Sequence, residues 1–520
     1  MFRCLLASVF LLALLRAPVH AATITVDGTT CALGDAIVAA NTDAVVDGCP
    51  AGDPGLDTIV LDADVTLTDV DPRSSFLGSS AAGLPDITDD LVLRAGAADL
   101  IQRDPTLGCT LDDPLFRFFY QDSDVLTLEG LRFEHGCGTG NGGGILSSSQ
   151  STIHLVDVTV RQHRYRSTNR LTGDRGGFLN ASGDATVTDS LFEDIELTGN
   201  GELTGGLIFG RKGLTIDGTV FRRVTVAYSG TIFGGAVFFE PPFGRSRSLV
   251  VRDSDFADVT VDVTGTSVRG GAVYARTNGA VAFERVTFAR IDAHAQVDRE
   301  ALLCAGGALN VASANSVNLN GITVDDVRCG VDLSIQNGRV LGGAVYASVV
   351  NVFALRDCAI RGSRARLGAR TDGFGGALYV IGGAQTVERC SFVDSAIVPL
   401  QPGQGRDARG GAVYLTGATS STLRNVTVVG SRAEAGDNVT ARGTGGDAFG
   451  GGVALEALSV LGAVTPTHVT LAHVTLAQNE ARAGAGGSAS GGGLAVAADV
   501  TATIDNAILA GNVRVDDAGL

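Results

Sequence analysis

Apolar and polar residues alternate along short stretches of this chain, and the same alternation returns many times. In residues 270–293, Val281 and Phe283 share one face of a stretch, and Val286 and Phe288 share one face of the next. Alternation with a period of two residues predicts β-strands. The phase shifts by one residue between Phe283 and Val286, which predicts a bend there. Each unit is therefore predicted to hold three short strands separated by corners.

A glycine pair opens each unit. Eleven copies of Gly-Gly, followed by a small or apolar residue and then an aliphatic one, begin at residues 142, 176, 205, 234, 270, 306, 342, 375, 410, 450 and 491. The third residue after each first glycine is always aliphatic: Ile145, Leu179, Ile208, Val237, Val273, Leu309, Val345, Leu378, Val413, Val453 and Leu494. We call these residues the aliphatic column and predict that they stack in a core. Repetition over most of the chain predicts a solenoid rather than a globular domain.

The fold predicted from this pattern is all-β: a right-handed, single-stranded parallel β-helix of 11 or more turns with three short strands per turn and a small N-terminal cap. A propeller is the alternative, but its blades need four hairpin-linked strands and about 40 residues each. The chain is predicted to divide into a signal peptide (1–21), the cap and first strands (22–61), early turns (62–141) and the repeat helix (142–520). No capping helix follows the strand-like Thr503 to Leu509, which favours a truncated sequence over a last turn covered by a neighbour.

Export is predicted from the first 21 residues. Basic Arg3 precedes an apolar run from Leu5 to Leu15, and Val19-His20-Ala21 fits a cleavage site. No later segment is apolar enough to span a membrane. We therefore expect a secreted or cell-surface protein. The formal net charge of -17 makes nucleic acid a poor partner.

Eight cysteines follow the signal segment, and an exported protein keeps them in an oxidising compartment. The disulfide candidates are Cys31, Cys49, Cys109, Cys137, Cys304, Cys329, Cys358 and Cys390. Bridges Cys31–Cys49 and Cys109–Cys137 are expected near the N-terminal cap. Cys358 and Cys390 occupy equivalent positions in consecutive turns, so stacked strands place them ~4.8 Å apart. For this last pair, the bonded and unbonded arrangements both stay open.

The segment from Cys31 to Asn41 resembles the motif that opens the cap of CSLREA-type bacterial surface proteins. The Gly-Gly-Ala-aliphatic repeat is similar to that of chlamydial-type polymorphic outer membrane proteins. Gly34 and Asp35 depart from the Arg and Glu of the first motif, so the salt bridge made by that Arg is expected to be missing. The apolar positions predict a short helix covering the first turn. The resemblances imply export, a surface or extracellular location and often adhesion, but no reaction.

A second column lies four residues after each first glycine. In seven consecutive units it reads Phe209, Phe238, Tyr274, Asn310, Tyr346, Tyr379 and Tyr414. Strand alternation places these residues opposite the aliphatic column, hence outward. One interpretation is a stacking ladder that stabilises the sheet. The other is an exposed platform for an extended glycan or a partner protein, which makes the six aromatic residues candidate ligand-binding residues.

Few other residues point to chemistry. The adjacent carboxylates Asp89-Asp90, Asp112-Asp113 and Asp325-Asp326 are candidates for acid–base work or Ca²⁺ binding, but solvated turns explain them better. The histidines show no metal-ligand spacing, and Lys212 lies in a turn signature. No catalytic residue, metal ligand or cofactor is assigned from the sequence, and only a structural Ca²⁺ ion is left open.

The function predicted is that of an exported β-helix scaffold acting through its surface, adhesin-like or polysaccharide-binding. Its partner would be an extracellular polysaccharide or a component of a host or neighbouring cell surface. The alternative is a polysaccharide lyase or glycoside hydrolase of the pectin-lyase-like type, because parallel β-helices carry such enzymes. An enzyme would need acidic and basic side chains converging in one groove.

Overall fold

The computed structural model describes residues 22–75, 81–110, 112–148, 150–167, 173–296, 303–331, 338–401, 405–437, 445–457, 459–460, 463–464 and 467–516. The predicted signal segment 1–21 lies outside them. The chain winds into a parallel β-solenoid of about 13 turns, in which each strand pairs with its equivalents one turn before and one turn after. The predicted all-β solenoid is confirmed.

The first turns contain one helix and nine strands among the described residues. These are β1 (Thr23–Val26), α1 (Leu33–Thr42), β2 (Asp57–Leu61), β3 (Val65–Leu67), β4 (Leu91–Ala95), β5 (Leu100–Arg103), β6 (Phe119–Gln121), β7 (Val125–Glu129), β8 (Arg132–Glu134) and β9 (Cys137–Gly138).

The repeat units begin with strand β10. Those opened by the first five glycine pairs hold β10 (Ile145–Ser147), β11 (Thr152–Val156), β12 (Thr159–Arg161), β13 (Arg164–Arg166), β14 (Asp174–Arg175), β15 (Leu179–Ala181), β16 (Asp184–Thr188), β17 (Leu191–Thr204), β18 (Ile208–Gly210), β19 (Leu214–Asp217), β20 (Val220–Phe233), β21 (Val237–Phe239), β22 (Leu249–Arg252), β23 (Asp255–Val263), β24 (Ser267–Arg269), β25 (Val273–Arg276), β26 (Ala280–Glu284), β27 (Thr287–Ala295) and β28 (Leu303–Ala305).

The remaining units hold β29 (Leu309–Asn320), β30 (Thr323–Val331), β31 (Gly338–Leu341), β32 (Val345–Arg361), β33 (Arg364–Leu367), β34 (Thr371–Phe374), β35 (Leu378–Ile381), β36 (Ala384–Val393), β37 (Ala396–Pro399), β38 (Ala408–Arg409), β39 (Val413–Thr416), β40 (Ser420–Val429), β41 (Arg432–Glu434), β42 (Ala448–Phe449), β43 (Val453–Glu456), β44 (Ser459–Val460), β45 (Ala463–Val464), β46 (Thr467–Ala477), β47 (Glu480–Arg482), β48 (Ala489–Ser490), β49 (Leu494–Val496), β50 (Val500–Asp505), β51 (Ile508–Ala510) and β52 (Val513–Val515). The pattern did not predict the short strand that many units add just before the next glycine pair, such as β24 and β38.

The aliphatic column stacks as predicted. Its members pair in register from Ile145 to Leu494, turn upon turn. All are buried except Leu494, which is partly buried in the last unit. A ladder of phenylalanines stacks beside the column, for example Phe221 on Phe256 with ring centroids 4.7 Å apart. The core is therefore one continuous column of apolar side chains that each turn completes against its neighbours.

Three corners per turn come from residues in the left-handed backbone conformation. The first corner follows the second strand of a unit and is the predicted bend: in the 270 unit it is Arg285, with φ 53°. The second corner comes after four further residues, at Arg290 with φ 52°. The third is the glycine pair, and the first glycine has φ between 60° and 71° in all eleven copies. The two glycines serve different needs, because a Cβ on the second would strike the backbone of the next turn.

Charged residues at the first two corners pair between turns. Four corners carry arginine, a residue that rarely adopts this conformation. Each of the four donates two hydrogen bonds to an aspartate at the same corner one turn earlier: Arg223 to Asp194, Arg285 to Asp253, Arg290 to Asp258 and Arg389 to Asp357. Ion pairs between equivalent corners of consecutive turns therefore favour the same strand register as the core does.

Helix α1 closes the first turn, as predicted. It buries Leu33, Ala36 and Ile37 in the same core as strand β1. The Asn41 side chain fixes the end of the helix by donating to the Asp86 carbonyl at 2.7 Å. Arg73, from a later loop, reaches Asp35 at 2.8 Å, and its guanidinium lies where a Cβ on Gly34 would be. No helix among the described residues is long and apolar enough to cross a membrane.

Candidate functional site

The strands on either side of the glycine pair bring two outward columns together in a furrow, called here the Gly-Gly furrow. One column is the residue just before each first glycine, and the other is the residue four positions after it. Phe233 packs edge-on against Phe238 and Tyr274, with ring centroids 6.1 and 5.1 Å apart. Phe374 lies over Tyr379 at 5.7 Å. The residue before the glycines therefore covers the aromatic column.

This cover decides how exposed the six candidate aromatic residues are. Tyr346 is partly exposed, and the other five are only 2–8% exposed: Phe209, Phe238, Tyr274, Tyr379 and Tyr414. Phe238 stacks nearly parallel on Phe209 and Tyr274, at 5.3 and 5.2 Å. Asn310 interrupts the column and divides it into two clusters. These rings form a stacking ladder, one of the two interpretations of the sequence pattern, and because the opposite wall of the furrow covers most of them they do not form an exposed platform.

Polar groups complete the far end of the ladder. The Tyr414 hydroxyl donates to the Glu456 carboxylate at 2.6 Å, and Arg409 binds the same carboxylate at 2.7 Å. Burial, reinforced by the neighbouring carboxylate, raises the pKa of Tyr414 well above its usual range. Tyr414 therefore stays a neutral hydrogen-bond donor held in a fixed orientation.

The near end of the furrow opens into a groove of about 440 Å³, called here the Phe243 groove. Its aromatic floor consists of Phe209 and Phe238, the first rings of the ladder. One wall is the loop 241–245, which follows strand β21 and carries Phe243 at its tip. The Phe243 side chain is fully exposed to solvent. A phenylalanine held in water beside an aromatic-floored groove is a surface suited to a ligand with an apolar face.

Charged side chains surround this groove. The rim is lined by Arg175, Glu202, Arg211, Glu240, Arg245 and Arg276. Arg276 pairs with Glu240 at 3.1 Å, and the Arg175 guanidinium lies 5.3 Å from the Phe209 ring centroid. Arg211 and Arg245 make no ion pair with any residue that the structure describes. The groove thus offers unpaired guanidinium groups, carboxylates and an exposed ring within one concavity, which can bind hydroxyl and carboxylate groups together with a sugar face.

The other candidates from the sequence serve turns rather than a common site. Asp90 accepts the backbone N–H of Val125 at 2.7 Å. Asp113 accepts from the Thr110 hydroxyl at 2.6 Å, and Asp326 accepts from Arg328 at 3.0 Å. Within the described parts of the chain, no three His, Cys, Asp or Glu side chains are grouped so that they could hold a metal. These carboxylates do not converge in the Phe243 groove.

The eight cysteines form four pairs at disulfide distance. Both pairs expected near the cap are present, with Cα atoms 4.7 Å apart in Cys31–Cys49 and 5.8 Å apart in Cys109–Cys137. The arrangement left open is also paired: Cys358 and Cys390 lie directly opposite each other in adjacent strands, with Cα atoms 4.5 Å apart. Cys304 and Cys329 form the fourth pair. All four link neighbouring parts of the solenoid.

A polar cluster lies in the core behind the Phe243 groove. Asp174 points inward from the strand whose next residue, Arg175, lines the groove, and the Tyr228 hydroxyl lies 3.3 Å from its carboxylate. Burial raises the pKa of Asp174, against the effect of hydroxyl donors that include Tyr165. Because Asp174 is only 2% exposed, it cannot reach a ligand in the groove. Asp174 therefore accepts hydrogen bonds from buried hydroxyl groups and does not contact a ligand in the groove.

Sequence reasoning missed both Phe243 and the furrow. Phe243 follows Pro241-Pro242 and precedes Gly244, a turn composition that makes an exposed loop predictable, but nothing in the repeat pattern marks it. The furrow had a signal that could have been read. The residue before the first glycine is large and apolar in four units, as Phe233, Leu341, Phe374 and Phe449.

Comparison with known proteins found no matching family model, no matching curated protein and no matching solved structure.

Proposed function

We propose that this protein is an exported β-solenoid scaffold that binds a polysaccharide in the Phe243 groove. The observation that carries the proposal is the fully exposed Phe243 ring beside a groove with unpaired Arg211 and Arg245. Aromatic rings stack on the apolar faces of sugar rings, and guanidinium groups bind hydroxyl and carboxylate oxygens. Residues 1–21 and the four cysteine pairs support an extracellular or cell-surface location.

The solenoid holds the groove in a preformed shape, which supports binding without the closure of a lid. The groove floor belongs to a ladder of stacked rings, each fixed by strands of adjacent turns. A preformed site loses little conformational entropy when a ligand enters. An adhesin-like attachment to a surface glycan uses the same groove and the same chemistry.

Binding to soluble polysaccharides tests this proposal. Phe243→Ala should weaken retention of the bound polymer at least tenfold in affinity electrophoresis or calorimetry, across a panel of polygalacturonate, alginate, xylan and dextran. The matched control is Val352→Ala, an exposed apolar side chain on another strand, which should bind as the parent does. Equal binding by the Phe243 variant, or no binding to any polymer by the parent, would contradict the proposal.

The alternative of a lyase or hydrolase has one observation in its favour: Glu202 and Glu240 line the same groove as several arginines. Incubating the protein with polygalacturonate, with and without Ca²⁺, distinguishes the two functions. Unsaturated products indicate a lyase, and new reducing ends without them indicate a hydrolase. A bound but unchanged polymer is the result expected here.

A further inference from the structure

The same arginine motif appears twice in equivalent places. Residues 161–166 read Arg-Gln-His-Arg-Tyr-Arg, and residues 361–366 read Arg-Gly-Ser-Arg-Ala-Arg. We call Arg161, Arg164 and Arg166 the first arginine triplet, and Arg361, Arg364 and Arg366 the second arginine triplet. Following strand pairing from turn to turn, each arginine of the second triplet lies in the same column as its counterpart in the first, six register steps later.

The turn after the first triplet supplies carboxylates. Glu193 is in register with Arg161 and pairs with it at 2.5 Å. Glu196 is in register with Arg164 and pairs with it at 3.9 Å. Two of the three arginines are therefore neutralised within the protein.

At the positions in register with the second triplet, the next turn supplies only apolar residues. Val393, Ala396 and Val398 stand opposite Arg361, Arg364 and Arg366. None of these three arginines makes an ion pair with a residue that the structure describes. Their positive charges have no internal partner in the described chain.

The turn before the second triplet places one carboxylate, Asp325, in register with Arg361, without an ion pair to it, and puts a like charge opposite Arg364. Arg328 lies directly opposite Arg364, the only pair of arginines that the described strands place in register. Like charges directly opposite each other destabilise a sheet. Arg328 is engaged by Asp326 at 3.0 Å, which leaves Arg364 without a carboxylate. At several other positions the register sets arginine against acid, as in Arg252 with Glu284 and Arg432 with Glu480.

Arginines also flank an open trough next to this triplet. The trough has a volume of about 520 Å³, with Arg364 and Arg366 on one side and Arg432, which pairs with Glu434 at 2.9 Å, on the other. The exposed side chain of Asp394 also lines it, so the excess positive charge of the trough comes from Arg364 and Arg366. Ala396 lies between Arg364 and Arg432 in the same column, so the two guanidinium-bearing strands are two turns, or about 10 Å, apart. The small side chain of Ala396 leaves room between them for a ligand.

We infer that this arginine trough is an anion-binding site for the carboxylate or sulfate groups of an acidic polysaccharide. The choice of a polysaccharide as the ligand rests on the proposed function. The site itself is separate, since the trough and the Phe243 groove have no lining residue in common. Guanidinium groups bind carboxylate and sulfate through paired hydrogen bonds. The rest of the acidic chain is screened beyond about 8–10 Å at physiological salt, so the local arginines dominate.

The lining favours a glycan over other polyanions. No aromatic ring lines the trough for bases to stack on. None of the large exposed apolar side chains of the described chain lines it either, and its apolar residues Val398, Pro399 and Leu400 are only partly exposed, which disfavours insertion into a membrane. An extended acidic polymer that presents its charges to an open face is the partner that fits.

A matched pair of double variants tests the inference. Binding of oligogalacturonate, dextran sulfate, dextran, inorganic sulfate and vesicles of anionic lipid is measured by calorimetry at several salt concentrations. Arg364→Ala with Arg366→Ala should weaken binding of the two acidic polymers at least tenfold and leave dextran unaffected. Arg164→Ala with Arg166→Ala removes two arginines from the same columns and should change binding less than twofold. Circular dichroism and melting confirm that both double variants are folded.

Each other outcome overturns part or all of the inference. Unchanged binding by the second-triplet variant, or equal weakening by both double variants, refutes the site. Inorganic sulfate or vesicles of anionic lipid binding as tightly as the polymers refutes the glycan. Loss of binding in Phe243→Ala but not in the arginine variants leaves the proposed function standing and removes the trough. The reverse result keeps the trough and removes the groove.

Discussion

The first and second arginine triplets are the same motif in the same columns, yet one is an internal ion-pair network and the other an open surface. The difference lies one turn further on, where Glu193 and Glu196 follow the first triplet and Val393 and Ala396 follow the second. In a solenoid, the environment of a side chain is set by the equivalent residues of the adjacent turns. What a motif does here is therefore decided about 30 residues away along the chain.

Glu193 shows how strongly the first triplet is neutralised. Its buried carboxylate also accepts hydrogen bonds from Arg222 at 2.7 Å and from Arg223 at 2.6 Å. Burial works against ionisation of Glu193, but the arginines outweigh it and lower the pKa of the carboxyl. The second triplet has no counterpart to this group.

The interiors beneath the two triplets differ as well. His163 and Tyr165 point into the core from the first triplet, where Ser363 and Ala365 stand in the second. His163 donates from Nε2 to the Gly177 carbonyl at 2.8 Å, and its Nδ1 atom has no hydrogen-bond partner among the described residues. The first triplet therefore rests on a larger core that contains an ionisable group, and the second on a smaller core that does not.

The largest effect expected from this difference is sensitivity to acid. Burial lowers the pKa of His163 from 6.5 to about 4, against the opposing effect of its hydrogen bond to Gly177. Because the folded pKa is depressed, the stability linked to neutral His163 is complete above pH 6.5 and is lost as pH falls towards 4. The loss reaches about 3 kcal/mol. Hydrogen exchange of strands β12 and β13, measured across this pH window, should show the loss, and β32 and β33 should show less.

Replacing the histidine isolates its contribution. His163→Gln should remove the slope between pH 6.5 and 4, whatever constant cost it adds. Asp174 lies nearby with a raised pKa and contributes in the opposite direction, since its stabilising effect is lost as pH rises. Comparing variant with parent cancels that contribution. His154→Gln, on a half-buried ring in the same unit, is the control. A slope that survives in His163→Gln would mean that another group governs the response.

The next largest effect is expected from the carboxylate that closes the first triplet. Glu193→Gln leaves three half-exposed guanidinium groups without their common acceptor, and local opening should become easier by about 2 kcal/mol. The variant should also gain sulfate binding that the parent lacks at this site. Glu196→Gln is the matched control, since its exposed pair with Arg164 at 3.9 Å contributes less than about 0.5 kcal/mol. Equal effects of the two substitutions would contradict the central role of Glu193.

The sequence was sufficient for the architecture because the repeats carry it redundantly. The glycine pair and the aliphatic residue recur in eleven units. A unit that departs from the pattern, such as the last one with its partly exposed Leu494, therefore does not change the predicted fold. The corner at Arg285 was visible as a phase shift, and the helix from Leu33 to Thr42 as an apolar face. These features are local, within a few residues of the signal that predicts them.

The candidate sites depended on contacts between units, which the pattern of one unit does not contain. Alternation correctly placed Phe238 outside the core, but the cover by Phe233 comes from the strand before the glycines. The exposure of Phe243 depends on a loop that interrupts the repeat. The arginine trough needs the register of three turns, because Arg364, Ala396 and Arg432 meet only when strands are aligned. Aligning all units column by column would have brought the triplets together.

The smallest effect, and the most direct test of the comparison, comes from giving the second triplet the partners of the first. Val393→Glu with Ala396→Glu places carboxylates opposite Arg361 and Arg364, where both native side chains are partly exposed and point outward. Binding of acidic polymers should fall about tenfold, equivalent to about 1.4 kcal/mol. Stability should change by no more than about 0.5 kcal/mol, because exposed ion pairs contribute little.

The control is Val393→Gln with Ala396→Gln, which adds the same volume without charge and should bind acidic polymers as the parent does. If the glutamine variant loses binding as well, the trough is filled rather than neutralised, and its width is what matters. If the glutamate variant keeps full binding, the arginines of the second triplet do not hold the anion. In that case the residues opposite the arginines in the next turn do not decide whether this motif binds an anion. The variant would have the carboxylates of the first triplet, yet its arginines would not be neutralised.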